Sequence, residues 1–99
     1  MKPHIFHPEA AKEYLHAVEY YAAASPVVAG RFRDEIERVL REICRQPGRF
    51  FQINPPARRA LTRKFQYSVI YLDLPDSIWV VAVVHAKQRP NYWRERLGG

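Results

Sequence analysis

Apolar residues recur at two different periods along this chain, and the change of period marks a change of structure. Ala29, Phe32, Ile36, Val39, Leu40 and Ile43 return at three- and four-residue spacing, which is one stripe of an amphipathic helix. The opposite face carries Arg31–Glu35, Asp34–Arg38 and Glu37–Arg41, each an opposite-sign pair four apart. Such pairs predict a solvated face whose charges neutralise one another, not a binding surface. Ser25-Pro26 supplies the start, with a side-chain oxygen as cap and a proline that loses nothing by lacking an N–H. Gln46-Pro47-Gly48 supplies the stop. Upstream, Ala11, Tyr14, Val18 and Tyr21 repeat at the same spacing, widened by Leu15 and Ala22. That helix opens at Pro8, with Glu9 in its first turn to match the macrodipole. Two helices joined by so few residues predict an antiparallel hairpin.

Outside the hairpin the period falls to two. HIF, at 4–6, is a short apolar opening consistent with a first strand. After INPPA, the segments ARRALTRKF, QYSVIYLDL and SIWVVAVVHA are rich in β-branched and aromatic residues and predict three strands. LPDS between the last two is a turn signal: proline presets its dihedral and aspartate caps the reversal. Short connections make these strands antiparallel neighbours. The expected fold class is α+β with order β-α-α-β-β-β: a helical hairpin packed on one face of a small, mainly antiparallel sheet. The other sheet face is expected to stay open as a working surface.

Composition narrows the function. The chain has 99 residues, 47% hydrophobic and 13% aromatic, which predicts one folded domain over 1–99 and not a disordered chain. No repeat, linker or low-complexity tract divides it. The lone Cys44 excludes a disulfide framework and a cysteine-based zinc site, and suits a reducing cytoplasm. MKPHIFHPEA does not resemble a secretory leader, and the apolar run 78–84 is too short to span a bilayer, so neither secretion nor a membrane partner is expected. Residues 1–49 carry eight Lys/Arg against seven Asp/Glu, and residues 50–99 carry eight against three. The excess of +6 therefore falls as +1 and +5. A basic second half suits an anionic partner, nucleic acid or acidic protein, although solubility alone accounts for such a charge.

Four features of that half carry candidate chemistry. Arg58, Arg59, Arg63 and Lys64 decorate one short strand; alternation puts Arg59, Leu61 and Arg63 on one face, and Arg58 and Lys64 on the other. An edge strand uses charge against aggregation, but cations on both faces exceed that need and point to an anion. In the tail, Lys87, Arg89 and Arg94 follow His85 at spacings that suit convergence on one concavity, where arginine grips phosphate or carboxylate bidentately. Tyr92 and Trp93 are placed to stack on bases or partner side chains, or equally to anchor the tail to the core. His85 is either a general base near neutral pH or a hydrogen-bonded strand end. The four histidines show no ligand spacing, so no metal is expected, and no cofactor motif appears. Asp73, Asp76 and Glu95 are isolated, which disfavours paired-carboxylate and two-metal chemistry.

HPEAAKEYLHAVEYYAAASPVVAGRFRDEIERVLREICRQPGRF, then RRALTRKFQYSVIY, then VVAVVHAKQRPNYWRER together resemble the RelE/ParE superfamily of bacterial toxins, across almost the whole chain. The order and spacing of the pieces carry the resemblance. It implies the toxin half of a type II toxin–antitoxin module (a plasmid stabilisation protein). It also implies a cognate acidic antitoxin that wraps the basic surface. Members of this superfamily either cleave messenger RNA in the ribosome, where cations stabilise the phosphate attacked by the ribose 2′-hydroxyl, or poison DNA gyrase without cleavage. In the RNA cleavers an arginine usually follows the aromatic of the third strand; here that pair is Tyr67-Ser68. The later arginine falls on Lys87, and the terminal tyrosine on Tyr92 or Trp93. The resemblance thus implies either a rearranged nuclease site of His85, Lys87, Arg89 and Tyr92, with Arg59 and Arg63 gripping phosphate, or gyrase inhibition. A standalone basic RNA-binding domain and an inactive remnant toxin are the rival expectations.

Overall fold

Ser25 ends one helix and begins the next. In the computed structural model, which describes residues 1–98, its N–H donates to the Tyr21 carbonyl at 2.8 Å while its Oγ accepts from the Val28 N–H at 3.3 Å. One residue thus satisfies orphan groups at both helix ends, which makes the corner tight. The helices are α1, Pro8–Ala24, and α2, Pro26–Arg45. Pro8 sits in the first turn of α1, and the His7 ring accepts from the Glu9 N–H as the cap. The whole apolar stripe predicted for α2 is buried. On α1 the phase is shifted by one residue. Ala10 and Ala17 face inward beside Tyr14, Val18 and Tyr21, while Ala11, Leu15 and Ala22 are exposed. Small side chains at 10 and 17 let the helix lie close on the sheet, a preference that hydrophobicity alone does not reveal.

The sheet has five strands: β1 His4–Phe6, β2 Phe51–Gln52, β3 Arg58–Leu61, β4 Tyr67–Asp73 and β5 Ile78–His85, in spatial order β1-β5-β4-β3-β2. β1 runs parallel to β5; the other pairs are antiparallel. The expected α+β layout, a helical hairpin on one face of a small sheet, is what the chain adopts, with the two-residue β2 as an addition. The strand expected over ARRALTRKF is shorter than that segment, because it ends at Leu61, before Arg63.

A register shift opposite Ile70 and Tyr71 leaves Val81 as an extra residue in β5. Ile78, Val80 and Val83 face the helices, whereas Val81 and Ala82 both face away. His85 consequently points to the helix side, edge-on to Tyr67 with ring centroids 5.0 Å apart.

The second face is not open, as the sequence suggested. After β5 the chain turns at Asn91 (φ 61°) and closes with a 3₁₀ helix, Arg94–Gly98. Trp93 drops onto Ile70, Val81 and Ala82, with Ala57 beside them, and is 2% exposed. A sheet with both faces apolar needs two covers, and the tail supplies the second.

Candidate functional site

What the tail leaves uncovered is a groove of about 300 Å³ at the β3 end of this second face. Arg59 and Leu61 of β3, Ser68 of β4 and Val84 of β5 form its floor, and Arg89 and Pro90 form its wall. Alternation along β3 places Arg59 and Leu61 on this side and Ala60 in the helix-facing core. Arg59 and Arg89 are exposed, and neither joins an ion pair among the described residues. Phe51, the register partner of Arg59, is 73% exposed and Leu61 is 64% exposed. Unpaired guanidinium groups beside exposed apolar side chains have the composition of an interface awaiting its partner.

The other residues singled out from the sequence are placed differently. Arg58 lies on the helix side of β3, where Nη1 donates to the Phe50 carbonyl at 2.7 Å and ties β3 to the chain before β2. Arg63 does not share the face of Arg59: its N–H donates to Glu35 of α2, so the chain has already left the sheet. Lys64 follows with φ 66°, in the same turn against α2. Lys87 is exposed and outside the groove lining, and Arg94 is exposed at the start of the 3₁₀ helix. The single concavity expected for Arg59, Arg63, Lys87 and Arg89 is therefore half formed: Arg59 and Arg89 meet, whereas Arg63 and Lys64 belong to a separate surface. Of the two roles open to Trp93 from the sequence, stacking on a target or anchoring the tail, its burial against the sheet fits the anchor.

His85 is occupied by its own turn. Nδ1 accepts from the Lys87 N–H at 3.0 Å, and its backbone N–H donates to Gln88 Oε1 at 2.8 Å. Tyr92 is occupied by Glu13. Its hydroxyl donates to Glu13 Oε2, and burial first, then that carboxylate, push the phenol well above the ordinary tyrosine range. Tyr92 is thereby closed to the groove, and His85, which belongs to the groove lining, has its Nδ1 already engaged. No cluster of three His, Cys, Asp or Glu suited to a metal occurs among the described residues.

Sequence reasoning missed Glu13 and Arg96. β1 covers β5 only as far as Val80, which leaves Val81 and Val83 on a free edge. Glu13 Oε1 accepts from the Val83 N–H at 3.0 Å, and Arg96 Nη1 donates to the Val81 carbonyl at 3.0 Å. The two side chains are joined by a bidentate fork, 2.9 Å on each arm. They stand in for a missing strand and close the edge. Eighty-three residues separate them, and neither carries a local signal.

The helices thus lie on one face of the sheet and a basic groove on the other. A solved structure described as the chromosomal ParDE TA system from P. aeruginosa has the same fold, with TM-score 0.75 over 88% of this chain and 98% of that one. At 12% identity the likeness is one of fold alone. The family follows from sequence comparison. The family model described as the ParE toxin of type II toxin-antitoxin system, parDE, matches residues 4–90, and the chain belongs to that family. Toxin ParE2 of Mycobacterium tuberculosis, from strains CDC 1551 / Oshkosh and ATCC 25618 / H37Rv, is 27% identical over 88 residues. That match spans 88% of this chain and 84% of the relative. The RelE/ParE resemblance in the sequence is thereby borne out.

Proposed function

We propose that the chain arrests growth by docking on DNA gyrase through the Arg59–Arg89 groove, and that an acidic antitoxin neutralises it by covering the same groove. The carrying observation is a groove whose exposed side chains are two unpaired guanidinium groups beside apolar ones, while its one histidine is turned to the helix side with Nδ1 already engaged. Cleavage by a ribose 2′-hydroxyl needs an acceptor for the hydroxyl proton and a donor for the leaving oxygen, besides charge for the phosphate. Arg59 and Arg89 supply the charge. Of the two side chains suited to proton transfer, Tyr92 is engaged by Glu13 of α1, and His85 has its Nδ1 held by the Lys87 N–H of its own turn. Membership of the ParE family supports the same reading over ribosome-dependent mRNA cleavage. Docking uses what the groove has: two guanidinium groups flanked by Phe51 and Leu61, a cationic and apolar combination that matches an acidic amphipathic partner.

The test is induced expression with parallel labelling of DNA, RNA and protein synthesis. DNA synthesis should halt first, with filamentation, and Arg59→Ala with Arg89→Ala should relieve it without lowering the thermal melt. Early arrest of translation with cut transcripts would overturn the gyrase assignment, and undiminished toxicity of the double variant would overturn the groove.

A further inference from the structure

The charges on α2 do not neutralise one another as their spacing suggests. Glu35 turns toward Arg38 three residues on, and receives both Nε and Nη2 at 2.8 Å. It also accepts the Arg63 N–H, which fastens the 62–65 turn against α2. The guanidinium of Arg38 is the main reason that the Glu35 carboxyl lies below its ordinary range. With Glu35 saturated by Arg38, Arg31 loses the partner that sequence spacing gave it, and the spacing of Glu37 and Arg41 does not bring those two into an ion pair. Among the described residues, Arg31, Arg41, Arg63 and Lys64 join no ion pair. All four line one shallow depression of about 700 Å³ with Arg38, and its only carboxylates are Asp34 and Glu35. Five cations against two anions leave this surface at +3.

Its geometry suits a repeating anion. Arg31 and Arg41 are ten residues apart on one helix, about 15 Å along the axis. A duplex strand advances about 3.4 Å per phosphate, so that span covers about four phosphates. Arg63 and Lys64 flank the row from a different element, held there by Glu35. The depression lacks what a peptide partner needs, a deep apolar pocket for an anchor residue. It equally lacks what base reading needs, because Phe65 is turned inward onto Tyr21 and Phe32, 5.3 and 5.2 Å away. Beside Val28 and Phe65 every lining residue is charged, an arrangement suited to a backbone and not to a sequence.

We infer that the outer face of α2 and the 62–65 turn form a sequence-independent docking surface for the phosphate backbone of double-stranded nucleic acid, separate from the Arg59–Arg89 groove. This surface stands on its own geometry, whatever target the groove takes.

The probe is a fluorescein-labelled 24-bp DNA duplex of arbitrary sequence, titrated with the full chain and followed by anisotropy between 50 and 200 mM KCl. Four free cations predict a slope of log K against log salt of about −3.6, hence about 150-fold weaker binding across that range. Arg31→Ala with Arg41→Ala should halve the slope, reducing the loss to about 12-fold. Arg31→Lys with Arg41→Lys should retain it, and Arg59→Ala with Arg89→Ala should leave it unchanged, with all melts coincident. Arg41→Ala alone should remove about one unit of slope. The inference is overturned if the duplex does not bind at 50 mM, if the Arg31/Arg41 alanine variant keeps the parent slope, or if only the Arg59/Arg89 variant loses binding. It is overturned equally if a 20-residue poly-glutamate peptide binds this surface more tightly than the duplex, which would reassign it to an acidic protein.

Discussion

Replacing Glu13 by alanine tests whether one carboxylate holds the tail. Glu13 and Arg96 side chains are 18% and 15% exposed, so this is not the surface ion pair that contributes almost nothing. Removing the acid leaves the Arg96 guanidinium largely buried with the Val81 carbonyl as its remaining hydrogen-bond partner, and frees the Val83 N–H and the Tyr92 hydroxyl. Breaking a fully buried pair from one side costs about 3–5 kcal/mol. Residual solvent access lowers that, the two other hydrogen bonds lost from the carboxylate raise it, and the contributions overlap, so about 3 kcal/mol is the expected loss. For a chain of this size that is a fall of about 12–24 °C in Tm, measurable by circular dichroism. Glu13→Leu combined with Arg96→Met removes both charges at similar volume, and should recover more than half of the loss. A Glu13→Ala melt within about 4 °C of the parent would refute the role given to this carboxylate. So would a double variant less stable than Glu13→Ala.

Trp93→Ala should cost about 3–5 kcal/mol in urea unfolding, because a side chain 2% exposed leaves a cavity under Ile70, Val81 and Ala82. If Trp93 instead served only to stack on a target, the variant would keep the parent midpoint and lose binding. Tyr71→Phe removes the hydroxyl that donates to the Pro47 carbonyl and should cost about 1 kcal/mol at neutral pH. Burial raises the Tyr71 phenol from 10.0 to about 12. Its contribution is therefore complete below pH 10.0 and is lost as pH rises toward about 12, so the variant's alkaline unfolding limb should be shallower; an unchanged limb refutes the assignment. Glu35 has the opposite sign. Its carboxyl is lowered from 4.5, so it stabilises above that value and loses its contribution as pH falls below it. Glu35→Gln should flatten the acid limb of stability below pH 4.5, and an acid limb as steep as the parent's would count against the pairing with Arg38.

The helices and strand order were legible in the chain because period and caps are local. α2 shows its stripe and both its ends within twenty residues, and all of the stripe is buried. Long-range contacts decided the rest. Nothing near Leu61 says that its strand stops there; Glu35, 28 residues earlier, takes the Arg63 N–H. Strict alternation from Ile78 would put His85 on the face of Val81, and the extra residue at Val81 reverses it. Arg59 and Arg89 could be proposed from the sequence, but their separation from Arg63 could not, since both facts of geometry lie between segments.

Charge counted along the chain is a different quantity from charge counted over a surface. The second half carries eight cations, which invited the idea of one basic working face. Folding spends two of them internally: Arg58 on the Phe50 carbonyl, and Arg96 on Glu13 and the Val81 carbonyl. It sends Arg63 and Lys64 across to α2, where they join Arg31 and Arg41 from the half that looked neutral. Of the remaining four, Lys87 and Arg94 are exposed outside the groove, and Arg59 and Arg89 line it. The near-zero balance of residues 1–49 therefore conceals part of one basic surface, and the +5 of residues 50–99 overstates the other. Because the two surfaces draw on separate elements, substitutions in one should leave the other's binding intact.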